Sequence, residues 1–111
     1  MTPEESKQKI IEKVLATKEG WLPSHVDVFD KSKTNFYHHP NIPEVLVKVF
    51  RSFESIPIQY EFSICIDKHV LALEKDPNGP ISQIVIAAEK KRVADELSER
   101  DKKLISIAQS L

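Results

Sequence analysis

A chain of 111 residues suits one domain and leaves no room for two ordinary ones. Its hydrophobic fraction of 41% and charged fraction of 30% are ordinary for a folded globular protein and argue against disorder of the whole chain. The 16 basic and 17 acidic side chains are interspersed, so the basic excess of most nucleic-acid-binding proteins is missing.

One cysteine, Cys65, excludes an internal disulfide. Residues 1–8 are polar and charged and lack an apolar signal core. No stretch approaches the roughly 18 apolar residues that a membrane-spanning helix needs. We therefore expect a cytoplasmic protein with no membrane segment.

The first residues carry the signals of an α-helix. Thr2 can cap its N-terminus, Pro3 fits the first helical position, and Gly20 is a natural stop. Four apolar side chains recur at helical spacing and form one stripe: Ile10, Ile11, Val14 and Leu15.

Residues 21–41 predict a long loop that contains two prolines and four aromatic side chains. Within it, residues 26–29 are a candidate short strand, and a turn should follow at residues 30–33. We expect the aromatic side chains to pin the loop to the core. Loops of this length are uncommon and tend to be functional.

This loop also holds the best polar constellation of the chain, which includes His25, Tyr37, His38 and His39. Imidazole groups beside carboxylates could bind zinc or another divalent metal. The spacing matches no diagnostic metal motif, and the adjacent His38 and His39 would point apart in an extended segment. A metal-dependent or histidine-using enzyme is therefore an alternative hypothesis, and we assign no catalytic residue, metal ligand or cofactor.

A middle helix is predicted from Pro43 to Phe53, with Pro43 and Glu44 in its first turn. Its apolar residues repeat at spacings of three and four: Val45, Leu46, Val49, Phe50 and Phe53. The dipeptide Ile56-Pro57 should end it.

The clearest strand runs from Ile58 to Asp67, where apolar and polar residues alternate. Alternation means that one face of the sheet is covered, which favours antiparallel pairing. A tight turn at Asp67-Lys68 leads into a second strand over residues 69–74. The strongest turn signal of the chain follows at residues 76–80.

Residues 81–87 are ambiguous between a strand and the start of the last helix. On a helical wheel, the apolar side chains of residues 81–88 centre roughly 140° from those of residues 93–111. One straight helix would not present both groups to one surface, and Ile84-Val85-Ile86 is β-branched. We therefore predict a third strand over 81–87, with one long helix that contacts two surfaces as the alternative.

A charged amphipathic helix is predicted from about Ala88 to Gln109. Glu96 with Arg100 and Glu99 with Lys103 are favourable pairs four residues apart. The helix carries an apolar stripe as a possible interface: Val93, Leu97, Leu104, Ile107, Ala108 and Leu111.

The predicted fold class is α+β. A three-stranded antiparallel meander, at about 57–67, 69–74 and 81–87, packs against an N-terminal helix, a middle helix and the C-terminal amphipathic helix.

Little else in the sequence indicates catalysis. Cys65 and His69 could in principle form a nucleophile and base, but a buried structural cysteine is the simpler interpretation. The chain has two glycines, and phosphate-binding loops usually need more.

The leading hypothesis is a small non-enzymatic interaction protein, such as an adaptor, inhibitor, chaperone or assembly subunit. It would act through the stripe of its C-terminal helix on a protein partner, most simply a second copy of itself. A nucleic-acid-binding regulator is the weaker alternative.

Overall fold

The computed structural model of the protein describes residues 1–111. Two helices flank five strands along the chain: α1 (Pro3–Ala16), β1 (Leu22–Phe29), β2 (Ser32–His38), β3 (Val45–Ser52), β4 (Gln59–Ile66), β5 (His69–Glu74) and α2 (Pro80–Ser110). The strands form one antiparallel sheet in the order β1-β2-β3-β4-β5, so each strand pairs with its sequence neighbours. The α+β class and the meander are confirmed, whereas the expected three strands and three helices are wrong.

Helix α1 and the hairpin of β4 and β5 lie close to where the sequence places them. The Thr2 side chain accepts a hydrogen bond from the backbone N–H of Glu5 at 3.1 Å, so it caps α1 as expected. Asp67 occupies the turn between the two strands with a φ of 52°, a conformation that Asp tolerates better than most residues. These elements depend on local signals, which explains why the sequence revealed them.

The predicted loop at residues 21–41 is a β-hairpin for most of its length. Val26 pairs with Asn35 and Phe29 with Ser32, so residues 26–29 lie in a strand as predicted. The strand begins earlier, at Leu22, and the turn covers residues 30–31 rather than 30–33. Trp21 and Tyr37 lie in the core, but Phe29 is 73% exposed. All eight residues of β1 are exposed because it is an edge strand, so no apolar alternation signals it.

The predicted middle helix at 43–53 is wrong, because this segment forms the central strand β3. Val45, Val47 and Val49 face the core and are at most 3% exposed. Apolar residues in this run fit both a helical spacing and an alternating one. β-branched valines favour the strand. Hydrogen bonds to β2 on one side and to β4 on the other stabilise it.

The predicted third strand at 81–87 is also wrong, because α2 is continuous from Pro80. No side chain of its N-cap residue, Gly79, is available to satisfy the first turn. The carboxylate of Glu74 on β5 does so instead: it accepts hydrogen bonds from Ser82 N at 2.8 Å and from Ser82 Oγ at 2.6 Å. A Cβ on Gly79 would stand 2.1 Å from Glu74 Cδ, so glycine lets this carboxylate approach.

Both helices cover the same face of the sheet, and the core lies between them and the strands. Its twelve buried residues form one cluster: Val14, Trp21, Tyr37, Val45, Val47, Val49, Phe62, Ile64, Ile81, Ile84, Val85 and Ala88. The opposite, uncovered face carries Phe36, Leu46, Phe50 and Leu73, which alternate with the core residues of their strands. Although α2 is long, neither helix is apolar enough along its length to cross a membrane.

Candidate functional site

Helix α2 has two halves with different surroundings. Its buried residues all lie in the first third: Ile81, Ser82, Ile84, Val85 and Ala88. From Val93 to the end of the chain every residue is exposed. The change of apolar phase in the sequence therefore corresponds to a helix whose first part packs on the sheet and whose last part does not.

The contacts of α2 trace its path across the strands. Ser82 binds Glu74 on β5, Glu89 binds Arg51 on β3, and Arg92 binds Tyr37 on β2. The rise from Ser82 to Arg92 is about 15 Å along a helix. The distance from β5 to β2 is three strand spacings, or about 14 Å. The helix thus runs roughly at right angles to the strands and leaves the sheet at β1, within about one turn after Arg92.

The part of α2 beyond the sheet carries the apolar stripe that the sequence predicts. Val93 and Leu97 are 44% and 45% exposed, and Leu104 and Ile107 are 57% and 52% exposed. Ala108 and Leu111 are exposed as well. By the helical angle, Arg100 falls in the middle of this stripe. The stripe has no partner within the protein.

Charged side chains beside the stripe form ion pairs within α2. Arg92 pairs with Glu96 at 2.8 Å and Lys91 with Asp95 at 3.3 Å, both four residues apart. Such exposed pairs contribute only about 0.3–0.5 kcal/mol each. They leave the stripe flanked by balanced charges.

The edge strand β1 adds apolar surface beside the emerging helix. Val26 and Val28 pair with Asn35 and Lys33, and therefore lie on the face of the sheet that α2 crosses. They are 49% and 70% exposed. We refer to the stripe of α2 together with Val26 and Val28 as the α2–β1 surface. The outer edge of β1 pairs with no other strand.

The protein exposes more surface than a compact monomer of its mass. Its accessible surface is 7788 Å², whereas about 6,200 Å² is expected for 12.7 kDa. Its radius of gyration is 16.6 Å, against about 13 Å for a compact chain of this length. The projecting half of α2 accounts for this elongation.

The four residues of the predicted loop site do not come together. His25 lies on the uncovered face, stacked on Phe36 with 4.0 Å between ring centroids. Tyr37 and His39 are each 1% exposed on the helix side, and His38 lies between them along the chain. No group of three or more His, Cys, Asp or Glu side chains is placed to hold a metal ion.

His39 has a structural environment in which both ring nitrogens are occupied. Nδ1 accepts hydrogen bonds from the backbone N–H groups of Asn41 at 3.0 Å and Ile42 at 3.2 Å. The proton of the neutral ring is therefore on Nε2, which lies 2.9 Å from Thr17 Oγ1. Burial, and then the charge of Lys13, lower the pKa of His39 below its ordinary value. This histidine joins α1 to the connection between β2 and β3.

Cys65 and His69 do not form a nucleophile and base. Cys65 is 2% exposed and pairs with Val70, whereas His69 pairs with Ile66. Neighbouring strand residues point to opposite faces, so the two side chains diverge. Burial raises the pKa of the Cys65 thiol, and the charge of Lys48 opposes this effect only in part. A raised pKa keeps the thiol protonated, which favours an inert structural role.

The sequence did not indicate a polar group beneath α2. Asn35 on β2, Arg51 on β3 and Glu89 on α2 line one cleft where the helix crosses the sheet, and Arg51 pairs with Glu89 there. Their positions are far apart along the chain, and each has an unremarkable local sequence. The tertiary crossing of α2 alone brings them together.

Comparisons of the chain with protein-family models, curated proteins and solved structures give no significant match.

Proposed function

We propose that this is a non-enzymatic interaction protein that assembles with a second copy of itself through the α2–β1 surface. The observation that carries the proposal is the position of the apolar stripe, which extends past the edge of its own sheet. An apolar helix face in that place contributes nothing to the monomer core. Burial of this apolar face against another surface would be favourable.

The amount of surface available fits a stable dimer. The excess over a compact monomer is about 1,600 Å² per chain, from the comparison with the expected surface. Two copies that each buried most of this excess would form an interface of about 2,000–3,000 Å², which lies in the range of obligate homodimers.

Charge and symmetry favour a second copy of the same helix as the partner that covers the α2–β1 surface. Residues 93–111 contain four acidic and three basic side chains, so two copies repel each other only weakly. An apolar stripe on a straight helix can pack against its own copy about a two-fold axis, with the same residues on both sides. Such a dimer could serve as an adaptor, inhibitor, chaperone or assembly subunit in the cytoplasm.

The uncovered face of the sheet is the competing surface, and its side chains already cover one another. Ser63 and Cys65 on that face are 0% and 2% exposed without any second layer above them. His25 stacks on Phe36, which also has Lys48 Nζ 6.0 Å from its ring centroid. This face therefore gains less from a partner than the projecting helix does.

Sedimentation equilibrium over a range of protein concentrations tests the proposal. We expect a dimer for the wild type and a monomer for the double variant Leu104→Asp/Ile107→Asp, because charges in the stripe oppose its burial. Leu73→Asp is the matched control on the uncovered sheet face, where Leu73 is 55% exposed, and should remain a dimer. A wild type that is monomeric throughout, or a dimer that only Leu73→Asp dissociates, would contradict the proposal.

A further inference from the structure

A cleft of about 610 Å³ lies between α2 and the sheet, just before the helix leaves it. Its size is within the range of small-molecule sites, roughly 300–1,000 Å³. The sheet contributes Lys33, Asn35 and Arg51, and Phe53 follows the end of β3. The helix contributes residues between Ile86 and Leu97.

Two buried acceptor atoms in this cleft have no hydrogen-bond partner. Asn35 is 4% exposed, and its Oδ1 accepts no hydrogen bond. Glu89 uses Oε2 to bind Arg51, while its Oε1 is buried and unpartnered. Unsatisfied buried polar atoms are rare in folded proteins, because each one loses its hydrogen bonds to water without replacement. A molecule that donates N–H groups at this position would satisfy both atoms.

The same cleft carries an excess of positive charge. Four of its lining side chains are cationic, against the single carboxylate of Glu89: Lys33, Arg51, Lys90 and Arg92. Arg51 pairs with Glu89, and Arg92 pairs with Glu96. Lys33 and Lys90 are exposed and belong to no ion pair. They are available to an anionic group at the mouth of the cleft.

Apolar side chains complete the lining. Phe53 is 47% exposed and offers an aromatic ring at the sheet side, and Ile86 and Val93 lie on the helix side. A planar ring can stack on such a surface. The cleft thus combines buried acceptors, apolar walls and two unpaired cations.

We propose that this cleft binds a nucleoside monophosphate. The N–H groups of the base would donate to Asn35 Oδ1 and Glu89 Oε1, and the phosphate would lie against Lys33 and Lys90. The chain lacks a glycine-rich phosphate loop, so the lysine side chains take the place of backbone N–H donors. This is a binding site without an assigned reaction. It lies within one chain and shares the lining residues Val93 and Leu97 with the α2–β1 surface.

Isothermal titration calorimetry with AMP, GMP, CMP and UMP tests the site, with the matching nucleosides and inorganic phosphate as separate titrants. We expect at least one monophosphate to bind at least tenfold more tightly than its nucleoside and than phosphate. No binding of any monophosphate at millimolar concentration would overturn the proposal. Equal binding of phosphate alone would overturn it too, because the buried acceptors would then play no part.

Variants identify the residues that bind. Asn35→Leu should weaken the monophosphate at least tenfold while the protein without ligand stays folded, since the change removes an unsatisfied acceptor. Lys33→Gln/Lys90→Gln should weaken the monophosphate but leave the nucleoside unchanged. Lys68→Gln, an exposed lysine at the β4–β5 turn, is the control and should bind as the wild type does. Unchanged binding in both cleft variants would overturn the assignment.

The double variant Leu104→Asp/Ile107→Asp distinguishes ligand binding in the cleft from dimer formation, because neither residue lines the cleft. The proposal expects it to bind the monophosphate with unchanged affinity, whatever its oligomeric state. Loss of binding in this variant would contradict a site formed within one chain.

Discussion

The imidazole of His39 and the hydroxyl of Thr17 are 2.9 Å apart and join the end of α1 to the β2–β3 connection. Thr17 Oγ1 also donates a 2.7 Å hydrogen bond to the carbonyl oxygen of Lys13. It therefore accepts the Nε2 proton of His39, which must be neutral because its Nδ1 accepts two backbone N–H groups. Protonation of Nδ1 would turn this acceptor into a donor that faces other donors.

The stability of the protein should therefore fall in mild acid. The pKa of His39 is lowered in the folded state, so the unfolded chain binds a proton first as the pH drops. Neutral His39 contributes fully to the free energy of unfolding at pH values above the pKa of the unfolded chain, about 6.5. This contribution is lost as the pH falls from there towards the lower pKa of the folded state. The loss is at most about 1.4 kcal/mol per pH unit. Urea unfolding at about pH 7.5 and about pH 5.5 measures this loss.

Two histidine variants provide the comparison. His39→Gln should lose less unfolding free energy between the two pH values than the wild type, because glutamine does not titrate. His25→Gln, on the exposed face, should keep the wild-type difference. Identical losses in wild type and His39→Gln would show that His39 does not cause the pH dependence.

The two halves of α2 should respond differently to the same substitution. Ile84 is 2% exposed and Ile105 is 58% exposed on the same helix. Ile84→Ala should reduce the free energy of unfolding by about 2–5 kcal/mol through lost burial and a cavity. Ile105→Ala should change the free energy of unfolding by less than about 0.5 kcal/mol. Both substitutions replace isoleucine by alanine in a helix, so the gain in helix propensity is the same for the two variants. Similar losses in chemical denaturation would contradict a projecting second half.

The start of α2 should depend on Glu74. Glu74→Ala removes the acceptor for two hydrogen bonds from Ser82, and should lower the free energy of unfolding by about 1–2 kcal/mol, as loss of a helix cap does. Glu74→Gln retains an acceptor oxygen and should lose less. Thermal unfolding followed by circular dichroism compares the three proteins. Equal stability of wild type and Glu74→Ala would mean that this carboxylate does not hold the helix terminus.

The proposed dimer should tighten when the cation in the stripe is replaced by an apolar residue. Arg100 lies within the stripe and forms an exposed ion pair with the adjacent Asp101 at 3.5 Å. Burial of a leucine contributes about 1.5–3 kcal/mol, so Arg100→Leu should lower the dimer Kd at least about tenfold. Lys102→Leu, on the opposite side of the helix by angular position, is the matched control. Equal effects of both changes in sedimentation would argue against the stripe.

The thiol of Cys65 should be inert in the folded protein. Burial raises its pKa, and the side chain is 2% exposed, so both thiolate formation and access are limited. A thiol-specific colorimetric reagent at neutral pH should react slowly with the native protein and fully after denaturation. Ser110→Cys in a Cys65→Ala background supplies an exposed thiol for comparison. Rapid reaction of the native wild type would contradict the buried position.

Sequence patterns located the elements whose signals are local. The cap at Thr2 and Pro3 predicted α1, and the alternation from Ile58 to Asp67 predicted β4 with its turn. The stripe on α2 was also visible from its spacing, and its residues Val93, Leu97, Leu104 and Ile107 are exposed. The side chains of His25, Tyr37, His38 and His39 do not come together, because an extended strand sends neighbouring side chains to opposite faces.

By itself the sequence determined the α+β class, the first helix, the β4–β5 hairpin and the two apolar phases of the last helix. The tertiary structure decided between helix and strand for segments whose apolar residues fit both a helical and an alternating spacing. Val45, Val47 and Val49 became a strand because strands pair on both sides of them. Residues 81–87 became helix because Glu74, from another element, satisfies the first turn. Backbone hydrogen bonds must be completed, and the partner that completes them here lies outside the local sequence.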